Sequence, residues 1–169
     1  ETPKKHVTAF LTLENGKRLA FDDVRKFGRI YLYKNLEPIN VRHGPEPLEN
    51  NFTSKTLIRL IRSKKRNIKA LLLDQSMVAG LGNIYVDESL WKSRIHPNSI
   101  SNKIPQIKIK DLYINIRTIL IRAIQQNGTT IIDFSVNGES GKYTNELKIY
   151  GRENSKCFYC KSKVKKIRV

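Results

Sequence analysis

The stretch Asp74-Gln-Ser-Met-Val-Ala-Gly-Leu-Gly-Asn-Ile-Tyr-Val-Asp-Glu-Ser-Leu-Trp91 decides how the chain is read. Before it, Ile68, Leu71 and Leu72 recur at helical spacing, so a helix is expected to end near Asp74. Gly80 and Gly82 then interrupt the pattern, and Ile84, Asp87, Leu90 and Trp91 resume it from Asn83 onward. The expectation is helix, two turns, helix. Glycines allow a close backbone approach, and a helix N-terminus with free amides and an asparagine side chain suits phosphate. An ordinary helix–turn–helix corner, with glycines that merely relieve crowding, fits the same residues, and the spacing leaves both readings open.

Upstream, Leu57, Ile58 and Ile61 mark a second short helix, separated from the first by the basic run Lys64-Lys-Arg66. Gly44-Pro-Glu-Pro47 and residues 49–54 break the pattern and are expected to form a linker. Further upstream the period becomes two. Val7, Ala9, Leu11 and Leu13 alternate with polar or aromatic residues, Asn15-Gly16 supplies a hairpin turn, and a return strand carries Leu19 and Phe21. A third strand is expected at residues 29–33. Downstream, His96-Pro97 ends a helix, and Ile109, Leu112, Ile116, Ile119, Leu120, Ala123 and Ile124 are expected on one stripe of a long helix over residues 107–126, stopped by Asn127-Gly128. A glycine-containing loop at 137–141 and a short strand at 146–150 lead to Cys157-Phe-Tyr-Cys160.

In 169 residues, 32 lysines and arginines face 15 acids, a net charge of +17, and 39% of residues are hydrophobic. That apolar share argues against wholesale disorder. The charge points to a polyanionic partner, since each phosphate contacted releases condensed counterions. No apolar run has the length of a membrane span and no signal sequence opens the chain, which argues against a membrane protein. Two cysteines without an export signal argue for a reducing, cytoplasmic setting rather than a disulfide framework.

The quoted stretch closely resembles the helix–two-turn–helix signature of the formamidopyrimidine-DNA glycosylase and endonuclease VIII family. The likeness extends through Lys4-Lys-His6, Asn15-Gly-Lys17, Asp23-Val-Arg-Lys-Phe-Gly28, His43-Gly-Pro-Glu-Pro-Leu48, Ile68-Lys69, Gly128-Thr-Thr130 and Tyr150-Gly-Arg152. The resemblance implies an α+β chain in three parts. Residues 1–47 would be the end of an antiparallel β-sandwich, 48–136 a helical DNA-binding domain, and 137–169 a lesion-capping loop with an incomplete zinc-finger hairpin. It implies a base-excision enzyme that removes oxidised purines such as 8-oxoguanine and formamidopyrimidines, then cleaves the abasic strand as an AP lyase. The partner would be damaged double-stranded DNA, bound by a monomer at the nucleoid.

By the same resemblance, Arg25 would hydrogen-bond the cytosine orphaned when the lesion flips out, and Phe27 would wedge the adjacent step. Taken alone, these two residues favour a surface arginine and a core phenylalanine over that role. Lys26 would touch phosphate as a point charge. His6, Lys64, Lys69 and Asn83 match phosphate-contacting or damage-site positions. Asn137, Gly138, Gly141 and Tyr143 fall on the loop that caps the everted base. Cys157 and Cys160 would be half of a four-cysteine zinc site.

The family's catalytic proline, glutamate and lysine have no counterpart here, because Pro3 is an internal imide rather than an amine. The chain is therefore expected to be a fragment that recognises damaged DNA but is inactive alone. The competing reading is a non-catalytic nucleic-acid-binding module built on the same helix–two-turn–helix.

Overall fold

The computed structural model describes residues 5–131, 135–136 and 139–168, and its contacts divide the chain into two units, Glu1–Leu36 and Glu37–Val169. Strands and helices segregate along the sequence, which makes the architecture α+β. In the first unit, β1 (Val7–Thr12) pairs antiparallel with β2 (Arg18–Asp22), with Phe10 opposite Ala20 and Leu11 opposite Leu19. The turn at Asn15 and Gly16 closes through Leu13 N–H donating to Lys17 O, and the Asn15 side chain accepts from Lys17 N–H.

The third strand expected at residues 29–33 does not form. Its alternation is real, but strand preference depends on a neighbour to pack against, and no described strand pairs with it. Leu32 is 98% exposed, and Tyr31 and Tyr33 stack on each other at 6.0 Å instead.

The second unit opens with a helical turn, α1 (Glu37–Asn40), followed by α2 (Ser54–Arg62), α3 (Ile68–Leu73), α4 (Asn83–Lys92) and α5 (Gln106–Gln125). The helices start where side chains can replace missing backbone acceptors. Thr53 Oγ1 accepts from Thr56 N–H, and Asn67 Oδ1 accepts from the N–H groups of Lys69 and Ala70. Leu57, Ile61, Leu71, Leu72, Leu112 and Ile116 are fully buried where the helices meet. Each such side chain contributes about 1.5–3 kcal/mol on transfer from water.

Residues 44–54, expected as a linker, are stitched to this core. Gly44 N–H donates to Gln75 O, Ala79 N–H to Pro45 O, and Arg117 to Pro47 O. Phe52 is buried beside Tyr113. The prolines disrupt helix but do not free the chain. Residues 37–47, grouped above with the strands, fall in the second unit.

The strand expected at 146–150 is also absent. A 3-10 turn, Tyr143–Glu146, occupies its start, and the backbone N–H groups of Lys148, Ile149 and Tyr150 all donate to the Glu88 carboxylate. A short hairpin, β3 (Ser135–Val136) with β4 (Glu139–Ser140), precedes it. Among the described residues no helix is long and apolar enough to cross a membrane.

Candidate nucleic-acid interface

The loop after β2 is organised by one carboxylate. Asp23 Oδ1 accepts from Arg25 N–H and Oδ2 from Gly28 N–H at 2.6 Å. The Gly28 N–H, helped by those of Arg25, Lys26 and Phe27, holds the Asp23 carboxyl below its usual value of 3.8. A β-carbon on Gly28 would lie 2.4 Å from the Phe21 ring, so the loop closes this tightly only on glycine. Lys26 sits in the left-handed region at φ 56°. The result is a tight polar turn that displays Phe27 with 80% of its surface exposed, the Arg25 guanidinium 6.0 Å from its ring. A core role for Phe27 within the described residues is thereby excluded. Asp23 N–H donates to His6 O, which brings His6 to the same end of the hairpin.

The two-turn corner between α3 and α4 is braced by Gln75. Its amide donates to Leu73 O and Leu81 O and accepts from Gly80 N–H, while Gly80 takes φ 78°. Met77, Val78, Ala79 and Leu81 plug the corner into the core. Gly82 caps α4 with no side chain, so Asn83 begins the helix exposed, beside first-turn amides that no side chain caps. Lys69 lines the same cleft of about 1220 Å³ as Asn83, but its ammonium is held by Asp87 at 2.7 Å. Lys64 lies apart from this cleft, on the turn after α2, where its carbonyl accepts from Ser101 Oγ.

The Cys157 and Cys160 thiols are free, on a hairpin in which Cys157 N–H donates to Ser162 O and Val164 N–H to Ser155 O. Trp91 Nε1–H points at Cys157 Sγ at 3.5 Å, and the indole stacks on Tyr159 at 4.4 Å. That indole N–H, with the backbone N–H groups of Cys160 and Tyr159, lowers the Cys157 thiol to about 7. No group of three or more His, Cys, Asp or Glu side chains among the described residues could hold a metal ion.

A family model, the formamidopyrimidine-DNA glycosylase H2TH domain, matches residues 43–135, more than half of the chain. The chain belongs to the formamidopyrimidine-DNA glycosylase family. The formamidopyrimidine-DNA glycosylase of Lactobacillus gasseri is 43% identical over 175 residues, covering 100% of this chain and 63% of its own length. That of Desulfitobacterium hafniense DCB-2 is 41% identical over 174 residues, covering 100% and 63%. The crystal structure of the MutM (Fpg) protein of Thermus thermophilus superposes with a TM-score of 0.89 at 34% identity, over 99% of this chain and 65% of that one. The Lactococcus lactis Fpg in complex with DNA containing an abasic site gives 0.88 at 36%, over 100% and 64%. The chain thus spans just under two thirds of the length of these glycosylases.

Of the residues singled out for glycosylase roles, His6, Arg25, Lys26 and Phe27 gather at one end of the first unit, and Lys69 and Asn83 share a cleft in the second. The capping-loop residues divide. Asn137 and Gly138 lie outside the described residues. Tyr143 is 4% exposed and packs with Tyr85, Ile119, Ala123 and Leu147, and burial raises its hydroxyl to about 12. It anchors the loop from inside and presents no surface to a base. Gly141 N–H is already committed to Thr130 Oγ1, so it has no free donor for a ligand.

Three residues that organise the site were not singled out as such: Asp23, Gln75 and Glu88. Asp23 alone had a local signal, an acid two residues before a turn.

Proposed function

We propose that the protein is a DNA glycosylase and AP lyase that removes oxidised purines, and that these 169 residues supply its grip on the damaged duplex. The observation that carries this is the bare Phe27 beside Arg25, on a loop pinned by Asp23. An exposed aromatic on a rigid turn costs solvation unless it has a partner, and an opened base step is a partner of the right shape. Phe27 enters the step while Arg25 meets the orphaned cytosine with its planar fork.

Asn83 and the first-turn amides of α4 receive a phosphate. His6, Lys26 and Lys64 add weaker backbone contacts. Lys69 contributes less than its charge suggests, because Asp87 offsets it. Cys157 and Cys160 would supply two thiolates to zinc, although the described residues offer no third ligand. Acting on genomic DNA, the protein works as a monomer in the cytoplasm, at the nucleoid.

The test is binding of this chain to a duplex carrying an abasic-site analogue and to its undamaged counterpart, across a salt series. With about five phosphates engaged, log K falls against log salt with a slope near −4 to −5, and the abasic duplex binds more tightly. A slope near zero, or equal affinity for both duplexes, would reject the proposal.

A further inference from the structure

Small metal hairpins ordinarily owe their order to the ion, because their own core is too small to hold them. The hairpin around Cys157 and Cys160 has a different support. Glu88, Trp91 and Arg94 follow one another at three-residue spacing, so they share one side of α4 and its exit. Together they hold two parts of the segment that contains the cysteines: Glu88 its approach, and Trp91 with Arg94 the turn between them.

Glu88, 3% exposed, takes the N–H groups of Lys148, Ile149 and Tyr150. Trp91 stacks on Tyr159 and donates to Cys157 Sγ. The Arg94 guanidinium lies over the Tyr159 ring at 4.9 Å. Beyond the helix, Arg152 and Lys148 approach the Phe158 ring at 4.5 and 5.3 Å. Both residues between the cysteines are thus engaged by a cation or an indole.

We propose that α4, with Glu88 and Trp91 as positioning residues, docks the cysteine hairpin onto the helical unit without metal. A buried carboxylate that satisfies three successive amides is expensive to remove, since it would leave those donors unpaired. The stack fixes the hairpin tip directly over the helix. The two thiols are then set in place by protein contacts alone. This proposal does not depend on the reading of DNA repair, because it concerns contacts made within one unit.

The experiment uses the whole chain in excess chelator, with amide hydrogen exchange and acrylamide quenching of Trp91, its single tryptophan. The amides of residues 148–150 are expected to exchange about a hundredfold more slowly than in an unstructured peptide, and added zinc to change that by less than about threefold. Glu88→Gln, which exchanges one acceptor oxygen for a donor, is expected to speed their exchange about tenfold or more. Should that variant fail to fold, Tyr159→Ala keeps the test open, since its ring is 49% exposed and lies outside the helical core. It is expected to raise Trp91 quenching about twofold while helix content stays constant. Unprotected amides in chelator that become protected only with zinc would overturn the proposal, as would Trp91 quenching unaltered by Tyr159→Ala.

Discussion

Two turns in this chain carry aromatic residues, and they use them in opposite ways. At residues 23–28 the backbone is tied to itself through Asp23, and Phe27 is left bare. At residues 157–160 the hairpin also closes on its own backbone, through Cys157 N–H to Ser162 O and Lys161 N–H to Cys157 O, but Tyr159 and Phe158 are taken up by Trp91, Arg94, Lys148 and Arg152. Fractional exposure alone would class all three rings as surface residues. What separates them is whether the ring meets a partner outside its own turn. Tyr159 helps to hold its segment against Trp91 and Arg94, whereas Phe27 meets Arg25 of its own loop and keeps most of its surface open to something else.

The sharpest way to break this contrast is Glu88→Ala. It strips three buried amides of their acceptor, and a loss of about 3–5 kcal/mol is expected, read as a lowered denaturation midpoint of the helical unit. A change below about 1 kcal/mol would mean that the cysteine segment is not held as described.

Next is Arg25→Ala, expected to cost about 1–3 kcal/mol of discrimination between cytosine and adenine opposite an abasic analogue, with stability unaltered. Equal losses on both duplexes would reduce Arg25 to a backbone contact. Phe27→Ala should weaken binding to the abasic duplex more than to the intact one, because a wedge acts only where the stack opens. Substituting Tyr159 should not alter that ratio.

Smaller still is Lys69→Ala. A free phosphate lysine would lower the salt slope by about one. Paired with Asp87, it is expected to lower it by less, and Asn83→Ala to weaken binding without changing the slope.

The mildest effect concerns pH. The carboxyl of Asp23 is lowered in the folded loop, so the order it confers is complete above the unfolded value of 3.8 and is lost as pH falls through the lower folded value. The Gly28 amide shift should therefore stay constant from neutral pH to about 4 and move only below it. A transition near pH 6 would contradict the Asp23 bond.

The helices were legible in the sequence because their signals are local. Thr53 and Asn67 stand where caps belong, and the apolar stripe of α5 ends at Gly128. The candidate site was less legible: the residue types alone favoured a surface arginine and a core phenylalanine at 25 and 27 and left Asn83 open, and the family resemblance singled them out. What escaped notice depends on partners far along the chain. Leu147 and Ile149 alternate as a strand would, yet the amides of Lys148, Ile149 and Tyr150 are claimed by an acid some sixty residues upstream. Glu88 itself stands between Val86 and Leu90 with nothing nearby to announce its role. Tyr143 follows a glycine-containing loop and reads as part of it until its ring is found beside Tyr85.

The Gln75 amide that braces the two-turn corner carries no net charge and has no proton to lose near neutral pH. Ionic strength screens charges, but it leaves a neutral cross-brace of this kind in place. The corner that presents Asn83 should hold its shape from dilute buffer to molar salt. A salt titration of DNA binding would then read ion displacement from the nucleic acid together with the screening of flanking pairs such as Arg66–Asp74, and not a loosening of this brace.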